Sequence, residues 1–257
     1  MQIMTREPKC DSWVTYPRPN SSARLRLFCF PYAGGGSLVF RKWPDQLAEN
    51  IEVCSLQLPG REARLNDQPF TQLLPLAETI AEAMMPHLDK PFVLFGHSMG
   101  AKISFEVARC LRRKYAVQPV HLFVSGARAP QLPSTEPPTY DLPKAEFVEK
   151  LRSLNGTPKE VLEHPELLEL LIPRLRADFE VVQTYVYNAD APLECPITVY
   201  GGLQDEMSRT QLDAWRQQTR GPFKVRMFPG DHFFIRTCEP LVLQTLSREL
   251  YFLRLTG

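Results

Sequence analysis

Residues 96 to 100 read Gly-His-Ser-Met-Gly, a serine set between two glycines, which is the spacing that nucleophilic acyl chemistry uses. The apolar run Pro91-Phe-Val-Leu-Phe95 precedes it and a helical pattern from Ala101 to Leu111 follows, so the chain reads strand, sharp turn, helix. Glycines flank Ser98 because larger side chains would collide in so tight a turn. The helix start then presents a backbone N–H to negative charge developing on a substrate oxygen.

A serine hydroxyl is a weak nucleophile, so Ser98 needs a base within reach and the base needs an anion to orient it. With a serine on this kind of turn, the acid and then the histidine follow in chain order. After Ser98 the histidines are His121, which opens an apolar strand, His164, which precedes Pro165, and His232. His232 lies in Phe228-Pro-Gly-Asp-His-Phe-Phe234, a loop just beyond a strand, and is the expected base. Asp205 follows Ile197 to Gln204, again a strand running into a loop, and is the expected acid; Glu206 and Asp190 remain alternatives. Asp231 and His97 adjoin the expected base and nucleophile, and neighbours on an extended segment face opposite ways, so Asp231 is expected to point away and His97 to pack or hydrogen-bond locally. The small residues of Phe30-Pro-Tyr-Ala-Gly-Gly-Gly36 let backbone N–H groups approach a substrate, which makes the Ala33 and Met99 N–H groups the expected oxyanion donors. A phosphate-binding loop is excluded because no Gly-Lys-Ser/Thr follows those glycines.

The elements that must position these residues alternate. Apolar segments at Leu25 to Phe30, Ile51 to Leu56, Pro91 to Phe95, His121 to Ser125, Ile197 to Tyr200 and Lys224 to Phe228 read as buried parallel strands. Helical patterns at Leu76 to Met85, Ala101 to Lys114 and Gln211 to Thr219 separate some of them. The chain of 257 residues is therefore expected to hold one α/β domain over 23–257, an α/β-hydrolase fold with a mostly parallel central sheet and helices on both faces, after a loosely held arm over 1–22. The stretch between Ser125 and Ile197 is too long for one crossover and is expected to hold a helical lid, about 130–190. Within it, Lys144 to Leu154 has one apolar face, Thr157 to Glu160 has a capping-box pattern, and Pro165 to Tyr187 is helical with Pro173 ending or kinking a first helix. That last segment carries more apolar residues than one narrow face needs. Either they pack on the sheet domain, or the lid lines a channel for an acyl chain; in the second case Tyr32, Leu175, Phe179 and Phe233 are the expected substrate contacts.

A net charge of +1 and the lack of a basic stripe give no electrostatic case for nucleic acid. No apolar run is long enough to span a bilayer and the N-terminus lacks a signal-peptide pattern, so the expected location is cytoplasmic. Six scattered cysteines lack the paired spacing of metal or redox sites and are expected to be reduced and structural, with no metal bound. The acceptor patterns at Asn20 and Asn155 carry no weight without a secretory route.

Five motifs in one order, Phe30-Pro-Tyr-Ala-Gly-Gly-Gly36, Leu58-Pro-Gly-Arg-Glu62, Gly96-His-Ser-Met-Gly-Ala101, Arg176-Ala-Asp-Phe-Glu180 and Phe233-Phe234, resemble the type II thioesterases, a group that includes the vertebrate medium-chain fatty-acid thioesterase. These stand-alone hydrolases accompany polyketide synthases and nonribosomal peptide synthetases. The resemblance runs from about residue 24 to 250 and implies that Ser98, Asp205 and His232 are a catalytic triad, with Ala33 and Met99 as oxyanion donors. It implies a monomer acting on acyl or peptidyl carrier proteins, without a cofactor of its own, since the phosphopantetheine belongs to the carrier. Carrier proteins are usually acidic, which makes Arg61, Arg64 and Lys102 candidate docking cations. Gly230-Asp-His232 departs from the Gly-Gly-His usual in the group.

Overall fold

The computed structural model describes residues 13–134, 137–154, 156 and 159–253. In chain order the main elements are β1 (Val14–Thr15), β2 (Leu25–Phe30), β3 (Ile51–Leu56), α1 (Leu73–Met84), β4 (Phe92–His97), α2 (Met99–Tyr115) and β5 (His121–Ser125). There follow α3 (Lys144–Ser153), α4 (Lys159–Leu162), α5 (Pro165–Gln183), β6 (Ile197–Gly202), α6 (Arg209–Asp213), β7 (Phe223–Phe228), α7 (Phe234–Thr237) and α8 (Glu239–Tyr251). The apolar runs become strands of one seven-stranded sheet, ordered β1-β3-β2-β4-β5-β6-β7, parallel except for β1.

After β2 the chain steps outward to β3, and β4 then pairs with the other side of β2, in register from Arg26 opposite Phe92 to Phe30 opposite Gly96. This reversal makes a crevice at the carboxyl ends of β2 and β4, where open α/β sheets bind ligands. The loops that leave these two strands carry Ala33 and Ser98. Both sheet faces are covered: α1 and α2 contribute Leu76, Ile80, Ile103 and Val107 to one core, while Trp43, Phe40, Val242 and Leu246 fill the other. Between β5 and β6, helices α3 to α5 form a third apolar cluster that includes Phe147, Leu151, Leu168, Ile172 and Leu175. The expected insertion is thus a helical subdomain with a small core of its own.

Four expectations change. Residues 13–22 of the arm are held in place: Val14 and Thr15 pair antiparallel with Leu56 and Ser55, and the Asn20 N–H donates to Glu52 at 2.7 Å. Residues 1–12, with Cys10, lie outside the described residues. β7 is an edge strand with alternating exposure rather than a buried one, because β6 covers only one of its sides. The helix expected from Gln211 is the short α6 followed by a 3₁₀ segment over Ala214–Gln218. Finally, α5 runs as one helix of 19 residues through Pro173 and stops at Gln183. Leu168, Ile172 and Leu175 on either side of that proline are all buried, so tertiary packing outweighs the missing backbone hydrogen bond. Thr157 of the capping-box pattern and Asn155 are outside the described residues.

Candidate active site

Ser98 sits between β4 and α2 with φ 54° and ψ −113°, a left-handed conformation that a non-glycine residue adopts only under constraint. Its N–H donates to Ser125 O at 2.7 Å, tying the turn to β5. The two flanking glycines are required by backbone contact: a Cβ on Gly96 would lie 2.1 Å from Gly100 O, and one on Gly100 would lie 2.1 Å from Phe30 O. The first turn of α2 therefore rests directly on the end of β2. Met99 opens α2, where the first N–H groups have no acceptor inside the helix. Among the described residues the Ala33 N–H donates to no backbone acceptor either.

The loops after β6 and β7 meet beside this turn. Leu203 N–H bonds Phe228 O at 2.8 Å and Gln204 N–H bonds Gly230 O at 3.0 Å, which brings Asp205 to His232. Asp205 Oδ2 lies 3.0 Å from His232 Nδ1, the carboxylate 4% exposed and the imidazole 27% exposed. A proton on Nδ1 directed at the carboxylate leaves Nε2 as the acceptor. The His232 ring lies 5.2 Å from the ring of His97, the residue before Ser98.

His97 is fully buried, its Nδ1 2.8 Å from Ser125 Oγ, and burial followed by the nearby His232 holds it well below the ordinary histidine range. It is a neutral floor beneath His232, as its local placement in the sequence implies. Asp231 turns to the backbone, accepting the Phe233 N–H at 2.8 Å, and Glu206 is exposed. Asp190 is engaged elsewhere, 2.8 Å from Arg112. His121 is a buried strand residue, 2.9 Å from Thr198 Oγ1.

The expected substrate contacts fall in two places. Tyr32 and Phe233 meet edge to face at 5.2 Å over the His97 ring, and Phe233 touches the helical insertion so closely that a Cβ on Gly156 would lie 2.5 Å from its Cζ. Leu175 of α5 reaches the loop after β2, where a Cβ on Gly34 would lie 2.7 Å from its Cδ2. Phe179, half-buried, packs against the apolar cluster of α3 to α5, edge to face with Phe147 at 5.5 Å.

Two of the three candidate docking cations prove to be structural. Arg61 is 2% exposed and pairs with Asp178 at 2.7 Å, and Arg64 lies 3.9 Å over the Trp13 ring and pairs with Asp67. Each satisfies groups within its own turn or beneath it, which the sequence alone did not distinguish from a solvated charge. Lys102, one helical turn beyond Ser98, does line an open cavity of about 290 Å³ with Arg128 and Tyr185, and burial together with Arg128 pushes its ammonium down to about 8.

The loop after β2 is also held by two carboxylates that the sequence shows only as members of motifs. Glu62, itself at φ 53°, accepts the Ser37 and Leu38 N–H groups at 3.1 Å each, and Asp178 accepts the Gly34 N–H at 2.7 Å. The signal for Asp178 is a carboxylate on the buried stripe of α5 that also carries Leu168, Ile172, Leu175 and Val181.

Among the described residues no cluster of three or more His, Cys, Asp or Glu could hold a metal ion, and no helix is long and apolar enough to cross a membrane. The five described cysteines are free, four of them buried.

Residues 25–250 match the family described as Thioesterase domain. The chain is 48% identical over 248 residues to the gramicidin S biosynthesis protein GrsT of Aneurinibacillus migulanus, covering 96% of this chain and 97% of that one. It is 34% identical over 236 residues to the medium-chain S-acyl fatty acid synthase thioesterase of Rattus norvegicus, covering 91% and 90%. Among solved structures, the type II thioesterase BorB from the borrelidin biosynthetic cluster superimposes with a TM-score of 0.85 at 31% identity, covering 93% of this chain and 98% of that one.

Proposed function

Because the chain belongs to the thioesterase family, in its type II group, we propose that it hydrolyses acyl groups carried on the phosphopantetheine arm of acyl or peptidyl carrier proteins, clearing stalled groups or releasing product. The observation that carries this reading is the Asp205–His232 contact, set beside a strained serine turn and the Ala33 N–H, which has no backbone acceptor among the described residues.

In the proposed mechanism Ser98 Oγ attacks the thioester carbonyl while His232 Nε2 takes its proton, and Asp205 stabilises the imidazolium. The Ala33 and Met99 N–H groups hold the oxyanion. Collapse breaks the C–S bond, and the departing sulfur takes the proton from His232. Water, deprotonated by His232, then attacks the Ser98 ester, and a second collapse returns the proton to Ser98 and frees the acid. The free cysteines are consistent with a reducing cytoplasm.

The test presents one acyl group on a holo carrier protein, on coenzyme A, on a short pantetheine mimic and as the matched oxoester. A higher kcat/KM for the carrier, with an advantage that shrinks with salt, supports carrier docking. Were coenzyme A preferred at every salt concentration, the carrier assignment would fall. Were the oxoester preferred, the thioester assignment would fall with it.

A further inference from the structure

The loop from Gly34 to Leu38 is held by buried charges that the ester chemistry does not use. Asp178, on α5 of the lid, accepts the Gly34 N–H through Oδ2 at 2.7 Å and binds Arg61 through Oδ1 at 2.7 Å. Arg61 completes the grip by donating to Gly35 O at 2.6 Å and to Pro59 O at 3.3 Å. Both side chains are almost wholly buried, 5% exposed for Asp178 and 3% for Arg61. A buried ion pair is a poor source of stability, but it fixes geometry closely, because every lone pair and proton must find its partner. A carboxylate is also a stronger acceptor for an amide than a neutral carbonyl.

The group held is the peptide bond between Ala33 and Gly34, with Gly34 at φ +80° and its Cα face against Leu175. The Ala33 N–H belongs to the preceding peptide, whose Tyr32 O accepts the Gly35 N–H at 2.9 Å, so anchoring the Ala33–Gly34 peptide on one side and Tyr32 O on the other restricts the rotation of Ala33 and with it the direction of its N–H. We propose that Asp178, braced by Arg61, is a positioning residue that aims the Ala33 N–H, so that the lid helix α5 and the oxyanion hole form one mechanical unit. The lid then does more than cover an acyl chain. Any displacement of α5 that takes Asp178 from Gly34 also releases the oxyanion donor, which couples closure over the substrate to catalytic competence.

This inference rests on the reading of Ala33 as an oxyanion donor, and the experiment separates the two. Wild type, Asp178→Ala and the isosteric Asp178→Asn are compared for hydrolysis of a short acyl thioester. They are also compared for inhibition by hexylboronic acid, which forms a tetrahedral adduct with a nucleophilic serine, and for binding of a non-hydrolysable thioether analogue of the substrate. Losing a single oxyanion donor costs about 10²–10³ in kcat, so a misaimed one should cost on the order of 10–10²-fold in Asp178→Ala. KM and thioether binding should change by less than about threefold, and boronic acid affinity should fall in step with kcat/KM. Asp178→Asn should recover part of the loss, because its amide oxygen can still accept the Gly34 N–H.

A folded Asp178→Ala enzyme with kcat within threefold of wild type overturns the proposal. So does equal weakening of the boronic acid and the thioether, which marks a merely structural role. If Asp178→Ala does not fold, the double variant Arg61→Met with Asp178→Leu, which removes the acceptor without leaving an unpaired buried charge, takes its place and is judged by the same criteria. Wild type insensitive to the boronic acid would instead refute the reading of Ser98 and its oxyanion donors, and this inference with it.

Discussion

Replacing Gly100 by alanine should disable the enzyme without unfolding it, because the added methyl wedges apart the two segments proposed to supply the oxyanion donors. The new Cβ would lie 2.1 Å from Phe30 O, 2.6 Å from Phe30 C and 2.7 Å from Pro31 O, all backbone atoms that cannot rotate away. A relaxed carbon to oxygen contact is about 3.3 Å, so the first turn of α2 and the end of β2 must part by roughly 1 Å. Met99 and Ala33 stand on opposite sides of that gap. A misplacement of about 1 Å at reacting groups can cost ~10²-fold, which is the expected fall in kcat toward a short acyl thioester. Overpacking costs about 1–3 kcal/mol against a domain stability of about 5–15 kcal/mol, so the variant should stay folded in thermal unfolding. Gly221→Ala is the control: its Cβ would meet Glu194 O at 2.8 Å just before β7, at the opposite end of the sheet from the site, and should cost stability while sparing kcat. A folded Gly100→Ala enzyme within threefold of wild type would refute the argument that the serine turn and the oxyanion loop are packed backbone on backbone.

Asp205→Asn should lower kcat by about 10²–10⁴ through the wrong histidine tautomer, while Glu206→Gln, at an exposed position, should be mild; steady-state kinetics giving the reverse order would move the acid to position 206. Burial, with the Lys224 charge second, pushes His121 down to about 4 in the folded protein, below its unfolded value, so the stability linked to its neutral ring is complete above about pH 6.5 and is lost as pH falls toward 4. That loss amounts to about 3 kcal/mol at most, and urea midpoints from pH 7.5 to 4.5 should fall less steeply for His121→Gln than for wild type; equal slopes would show that the buried ring does not control the titration. Leu175→Ser should raise KM for long acyl chains more than for a small activated ester, whereas Phe179→Ser, which breaks the contact with Phe147, should lower the melting temperature and leave chain-length preference unchanged. A changed chain preference in Phe179→Ser would place Phe179 in the acyl channel after all.

Strands, serine turn and the loops bearing Asp205 and His232 were legible because each follows from a local pattern: an apolar run, then a glycine-containing break, then the functional residue. The long gap before Ile197 likewise marked the lid by length alone. What the sequence hid depends on contacts between distant segments. Arg61 looked like a solvated charge because its partner, Asp178, lies 117 positions away, and only the packing of α5 on the loop after β2 brings them together. Phe179 and Leu175 lie one helical turn apart and read as equivalent, yet Leu175, a buried member of the helical cluster, also reaches the loop after β2, whereas Phe179 packs at the edge of that cluster against Phe147. The first strand escaped notice because two residues are too few to show a period, and its pairing with β3 is set by tertiary contact.

The measurement closest to the central claim is intact-protein and peptide mass spectrometry of the enzyme quenched during turnover of an acyl group on a holo carrier protein. A transient adduct with the mass of the acyl group, located on Ser98, is expected, together with release of free acid and free carrier thiol. Ser98→Ala should show no adduct and should lose activity by a factor on the order of 10⁴ or more. Carrier deacylation by folded Ser98→Ala at close to the wild-type rate, or an adduct mapping to another residue, would contradict that claim.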